Sequence, residues 1–184
     1  MTLSRLVVSA SLGLVACGGS IPVGQGFSST PVTATCASGQ QWTGGNSESE
    51  LMNPGLACRS CHLGDNFQNQ NPTREAEPSK AFFFMGTVFP SVREADLCAA
   101  AVPTDTVVEI LDAQDVVQFS LPVNAAGNFR SRTTAAGLTL PYKARVKSGG
   151  TVNVMASAQM DGDCNACHTV NGLNGAPGRV FLPQ

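Results

Sequence analysis

Two segments of one pattern, Cys58-Arg59-Ser60-Cys61-His62 and Cys164-Asn165-Ala166-Cys167-His168, constrain this chain more than anything else in it. They hold four of its seven cysteines and both of its histidines. Between them the sequence reads as strands. Residues 81–89 are aromatic and β-branched and end at Pro90. Residues 106–112 and 115–121 are two strands joined by a short turn, and Asn128-Phe129-Arg130-Ser131 follows the Gly127 turn. Tyr142, Ala144 and Val146 alternate with Lys143, Arg145 and Lys147, and Ser148-Gly149-Gly150 turns the chain into residues 151–155. Short runs of period two between such turns predict a mainly β fold, a small antiparallel β-sandwich. No segment of the middle has a long apolar period of 3.6, which argues against an all-helical fold there.

The motif pair resembles the haem attachment motif of c-type cytochromes. In that family the thiols add across the haem vinyl groups and the histidine ligates the iron. The resemblance implies two covalent haems c, with Cys58, Cys61, Cys164 and Cys167 as thioether residues and His62 and His168 as iron ligands. It implies electron transfer without catalysis, a redox protein partner, and turn-rich haem-binding segments on either side of the sandwich. No third histidine exists, so a sixth ligand would be methionine, with Met52 and Met160 the candidates. Met155 and Met85 are further candidates, with strand core the competing reading. A five-coordinate iron open to a small ligand, or a dihaem peroxidase, is a further reading, although no histidine is left to cleave peroxide.

Other chemistry fits the same cysteines. Two knuckles would make a Cys₄ zinc site. Disulfides Cys58–Cys61 and Cys164–Cys167 would make thioredoxin-like redox sites, which normally sit at a helix start in an α/β unit that this pattern lacks. The alternative function is a surface binding or structural β-sandwich lipoprotein whose cysteine pairs form disulfides or hold zinc. Cys36 and Cys98 lie outside the motifs, and a disulfide between them is expected in an oxidising compartment.

The N-terminus supplies that compartment. Arg5 precedes a mostly apolar run, residues 6–16, too short to span a bilayer. Leu14-Val15-Ala16-Cys17-Gly18 resembles a bacterial lipobox, which implies lipidation of Cys17 and a membrane anchor. Gly18 lacks the acidic side chain associated with inner-membrane retention, so the resemblance favours the outer membrane. The expected organisation is a signal peptide (1–16), a Gly/Ser/Thr/Pro-rich tether (17–50), the first motif segment (51–80), the β-sandwich (81–156) and the second motif segment (157–184). Trp42 and Cys36 suggest that order begins near residue 36.

Charged residues are only 13% of the chain and the net charge is −2, so nucleic-acid binding has no electrostatic basis. The acid pairs Glu48/Glu50 and Glu75/Glu77 read as solvated surface, and Asp161-Gly162-Asp163 lacks the loop of a calcium site. Within the middle, Gly86-Thr87-Val88, residues 107–112, Gly127-Asn128-Phe129 and residues 141–146 resemble the carboxypeptidase-regulatory-like (transthyretin-like) β-sandwich family. That family implies a structural or adhesive module. The excursion from Pro90 to Pro103, which carries Cys98, departs from its pattern.

Overall fold

The computed structural model describes residues 35–44, 49–62, 83–131 and 140–184. The side chain of Cys61 is outside that description, as are Cys17 with the whole lipobox, Ala81, Phe82, Glu48, Glu75 and Glu77. The fold is mainly β. Its strands are β1 (Met85–Phe89), β2 (Val107–Leu111), β3 (Val117–Pro122), β4 (Asn128–Arg130), β5 (Lys143–Ser148), β6 (Thr151–Val154) and β7 (Val180–Phe181). Two single-turn helices, α1 (Arg59–His62) and α2 (Cys164–Cys167), form at the motifs.

One sheet has the order β3-β2-β5-β6 and is antiparallel throughout. The other has the order β4-β1-β7, with β1 antiparallel to β4 and parallel to β7. The second sheet is therefore mixed, which corrects the expectation of a purely antiparallel arrangement. The alternation in β5 has its physical consequence here: Tyr142 and Val146 are buried, and Ala144 packs against the same cluster. Phe84, Val88 and Phe129 of one sheet region join Val108, Ile110, Leu121, Tyr142 and Val146 of the other in a single apolar core. The ring of Phe84 meets that of Tyr142 edge to face at 4.6 Å, a favoured aromatic geometry. On the opposite face of β2 and β5, Glu109 pairs with Arg145 across the strands.

The excursion after β1 has its own small core of Phe89, Cys98 and Ala100. Cys36 and Cys98 form a disulfide with S–S 2.12 Å. Backbone bonds run beside it, Trp42 N–H to Leu97 O at 2.7 Å and Ala99 N–H to Gln40 O at 3.0 Å. The Trp42 indole N–H donates to Leu51 O at 2.6 Å, carrying the constraint on toward the first motif.

Arg179 holds the C-terminal segment in place. It is 1% exposed, yet its guanidinium donates to Glu94 O and Gly55 O, each at 2.9 Å, and pairs with Asp96. It also lies 5.3 Å from the Phe89 ring centroid, within cation–π range. A buried cation is tolerated only when so many donors are satisfied.

Candidate functional site

The two motifs meet across β1. Asp163 occupies the N-cap position of α2 but gives that helix no side-chain bond. Its carboxylate reaches instead to the first motif and accepts the backbone N–H of Arg59 at 2.8 Å and of Cys58 at 3.4 Å. Those are donors that the start of a helix leaves without a partner. Asn165, 2% exposed, completes the junction. Its amide donates to Leu56 O at 2.9 Å and Thr87 Oγ1 at 3.1 Å, and its carbonyl accepts the Thr87 N–H at 3.0 Å. Two glycines allow the approach. A Cβ at Gly162 would stand 2.0 Å from Phe83 O, and one at Gly86 would stand 2.9 Å from Cys164 Cβ.

Burial sets the electrostatics. It pushes the Cys164 thiol up to about 12, reinforced by the negative charge of Asp163 beside it. Burial likewise raises Tyr142, which is hydrogen-bonded to Cys164, and the Tyr142 hydroxyl donates to Asp161 O at 2.6 Å. Asp163 is raised by burial against the lowering effect of its two backbone N–H donors. His168 is lowered by burial, opposed by its bond to Gly178. Cys164 is therefore a protonated thiol at neutral pH, without the thiolate character of a reactive cysteine.

The sulfur chemistry differs from the sequence expectation. Cys167 is disulfide-bonded, its partner sulfur lying outside the described side chains, whereas Cys58 and Cys164 are thiols. A sulfur held in a disulfide has no hydrogen to add across a vinyl group, so Cys167 does not fit a haem thioether. Among the described residues no three His, Cys, Asp or Glu side chains gather as a metal-holding group. Of the two methionines expected as sixth ligands, Met160 is 41% exposed on the surface. Met52 lines a small cavity of about 90 Å³ with Cys58 and His62, and its carbonyl accepts the Asn128 amide at 2.7 Å. His168 Nδ1 is bonded to Gly178 O at 2.8 Å.

The expectations of two haems c, of iron held by His62, His168, Met52 and Met160, and of thioethers at Cys58, Cys61, Cys164 and Cys167 are corrected accordingly. With them go the electron carrier, the likeness to c-type cytochromes and the peroxidase reading. The zinc site falls to the same geometry, since Cys167 is not a free thiolate. So do the local pairs Cys58–Cys61 and Cys164–Cys167, because each contains a cysteine that carries a thiol. Spacing within a motif does not reveal which sulfur lies near which in the fold.

A larger cleft of about 430 Å³ opens between the inner face of β5 and β6 and the C-terminal segment. Tyr142, Val146, Met155, Cys164, His168 and Phe181 are on its walls. Sequence reasoning placed His168 at a site but missed the cleft, whose far wall is the segment that Arg179 anchors. Glu50, read as solvated, pairs with Arg130 at the exposed edge of the smaller cavity.

No protein-family model, no curated protein and no solved structure matches this chain. The expected membership of the carboxypeptidase-regulatory-like family is thus corrected as well, and the mainly β architecture stands on the structure alone.

Proposed function

We propose that this chain is a disulfide-stapled β-sandwich that serves as a structural or ligand-binding module at a cell-envelope surface. The observation that carries the reading is the state of the sulfurs: Cys36, Cys98 and Cys167 are committed to disulfides, and the remaining motif thiol on the cleft wall, Cys164, is half-buried and protonated. Cysteines so used cross-link a small core, which is the common role of disulfides in exported domains. The Cys36–Cys98 bridge closes a separation of 62 residues, worth roughly 4 kcal/mol by loop-entropy arithmetic.

The anchor belongs to the same proposal. Lipid on Cys17 would hold the module at a membrane, the outer membrane being favoured by Gly18, with the residues between Cys17 and the Cys36 disulfide as the connection. No described helix is long and apolar enough to cross a membrane. The test is metabolic labelling with a fatty-acid probe in a bacterial host. Label is expected on the full chain and is lost in Cys17→Ser. Equal label in both chains, or none in either, overturns the anchor.

A further inference from the structure

We propose that the cleft beside β5 and β6 is a binding site for a compact, neutral, apolar molecule that bears a hydroxyl group, of the hydroxylated-aromatic class, with His168 accepting its hydrogen bond. This deepens the binding-module reading and rests on it.

At about 430 Å³ the cleft falls in the range of small-molecule sites. The half-buried Phe181 and Met155 lie on its walls beside Ala144 and the buried core residues Phe129, Tyr142 and Val146, with Asn153, Ser157 and Gln159 as polar lining. Phe181 and Met155 give a flat apolar body ring and sulfur contacts.

Charge is settled by elimination. The cations on the walls are Arg145 and Arg179. The first pairs with Glu109, and the second is consumed by Asp96 and three backbone carbonyls. The anions are Asp161 and Asp163. The first pairs with Arg59 at 2.8 Å, and the second accepts two backbone N–H groups of the first motif. Among the described residues on the walls no cation is left over to fix a carboxylate or a phosphate, and both oxygens of Asp163 are already occupied by N–H donors, which favours a neutral occupant.

The polar handle is His168. Its Nδ1 faces the carbonyl oxygen of Gly178, which only accepts, so Nδ1 carries the proton. Nε2 then holds a lone pair, and it has no hydrogen-bond partner among the described residues. Burial keeps the ring in this neutral form. An acceptor at the cleft favours a ligand with one donor, which a hydroxyl supplies.

The probe is 2-naphthol, titrated into the full chain with naphthalene as the comparison, and read by the ring nitrogen resonances of His168. We expect saturable binding of 2-naphthol, a shift of the Nε2 resonance, and naphthalene weaker by about tenfold, the discrimination of one hydrogen bond. His168→Leu should bring 2-naphthol down to the naphthalene level, and His168→Gln should recover part of the difference. Ala144→Leu, which enlarges a side chain on the wall and leaves His168 in the sequence, should weaken both probes. Equal affinity for the two probes, an unmoved Nε2 resonance, or no binding of either overturns the site. Each of these outcomes on a chain whose disulfides are intact leaves the stapled module standing. A chain whose Cys167 proves to be a thioether instead removes the module and the site together.

Discussion

At the scale of single residues, burial decides what each motif side chain is able to do. The Cys164 thiol, pushed up to about 12, lacks the thiolate that attacks alkylating reagents. Iodoacetamide at pH 8 should leave Cys164 unmodified in the folded protein and label it once the chain is unfolded, as peptide mass mapping will read. Rapid labelling of the native thiol would refute the assignment. His168 and Asp163 give opposite pH signatures. The His168 value is lowered from 6.5, so the unfolded chain binds more protons just below that pH. Its contribution to stability is full above 6.5 and declines as pH falls toward the folded value. Asp163 is raised from 3.8, so its contribution is present below 3.8 and is lost as pH rises through the folded value. Urea midpoints should therefore fall as pH drops just below 6.5, and His168→Gln should flatten that slope. An unchanged slope in the variant would show that the imidazole is not the group responsible.

At the scale of elements, the junction of the two motifs is the feature most exposed to mutation. Asp163→Ala strips two N–H groups at the start of α1 of their acceptor, and the loss should be about 2 kcal/mol in urea unfolding. Gly162→Ala should destabilise by a similar 1–3 kcal/mol, roughly, because its Cβ would collide with Phe83 O and β1 would have to shift. If either variant matches the parent, the motifs are not joined in this way. The strands were legible in the sequence because their causes are local. Tyr142, Ala144 and Val146 face one core by period two, and Gly149 and Gly150 take positive φ at the turn into β6. The junction was not legible, because Asp163 and Asn165 act more than a hundred residues away in sequence and no local pattern encodes such a partner. The parallel pairing of β7 with β1 was hidden for the same reason. Two residues, Val180 and Phe181, carry almost no periodic signal, and their place is set by the buried Arg179 beside them.

At the scale of the whole molecule, the account is one of cross-links around a shared apolar core. The Cys36–Cys98 disulfide fastens the N-terminal described segment to the excursion after β1. Arg179 fastens the C-terminal segment to that excursion and to Gly55 ahead of the first motif. The cleft lies between the second of these attachments and the β5–β6 edge of the larger sheet. The repeated motif pointed to haem chemistry, which the disulfide at Cys167 overturns. Its spacing is compatible with several uses of sulfur, and only the tertiary arrangement chooses among them. The direct test is intact mass and cysteine mapping of the exported chain, produced in cells able to attach haem. The account predicts no porphyrin mass at either motif. After unfolding without reductant, it predicts alkylation at Cys58 and Cys164 but not at Cys36, Cys98 or Cys167 until reductant is added. Covalent porphyrin on the second motif, or a Cys167 thiol that labels without reduction, would contradict it.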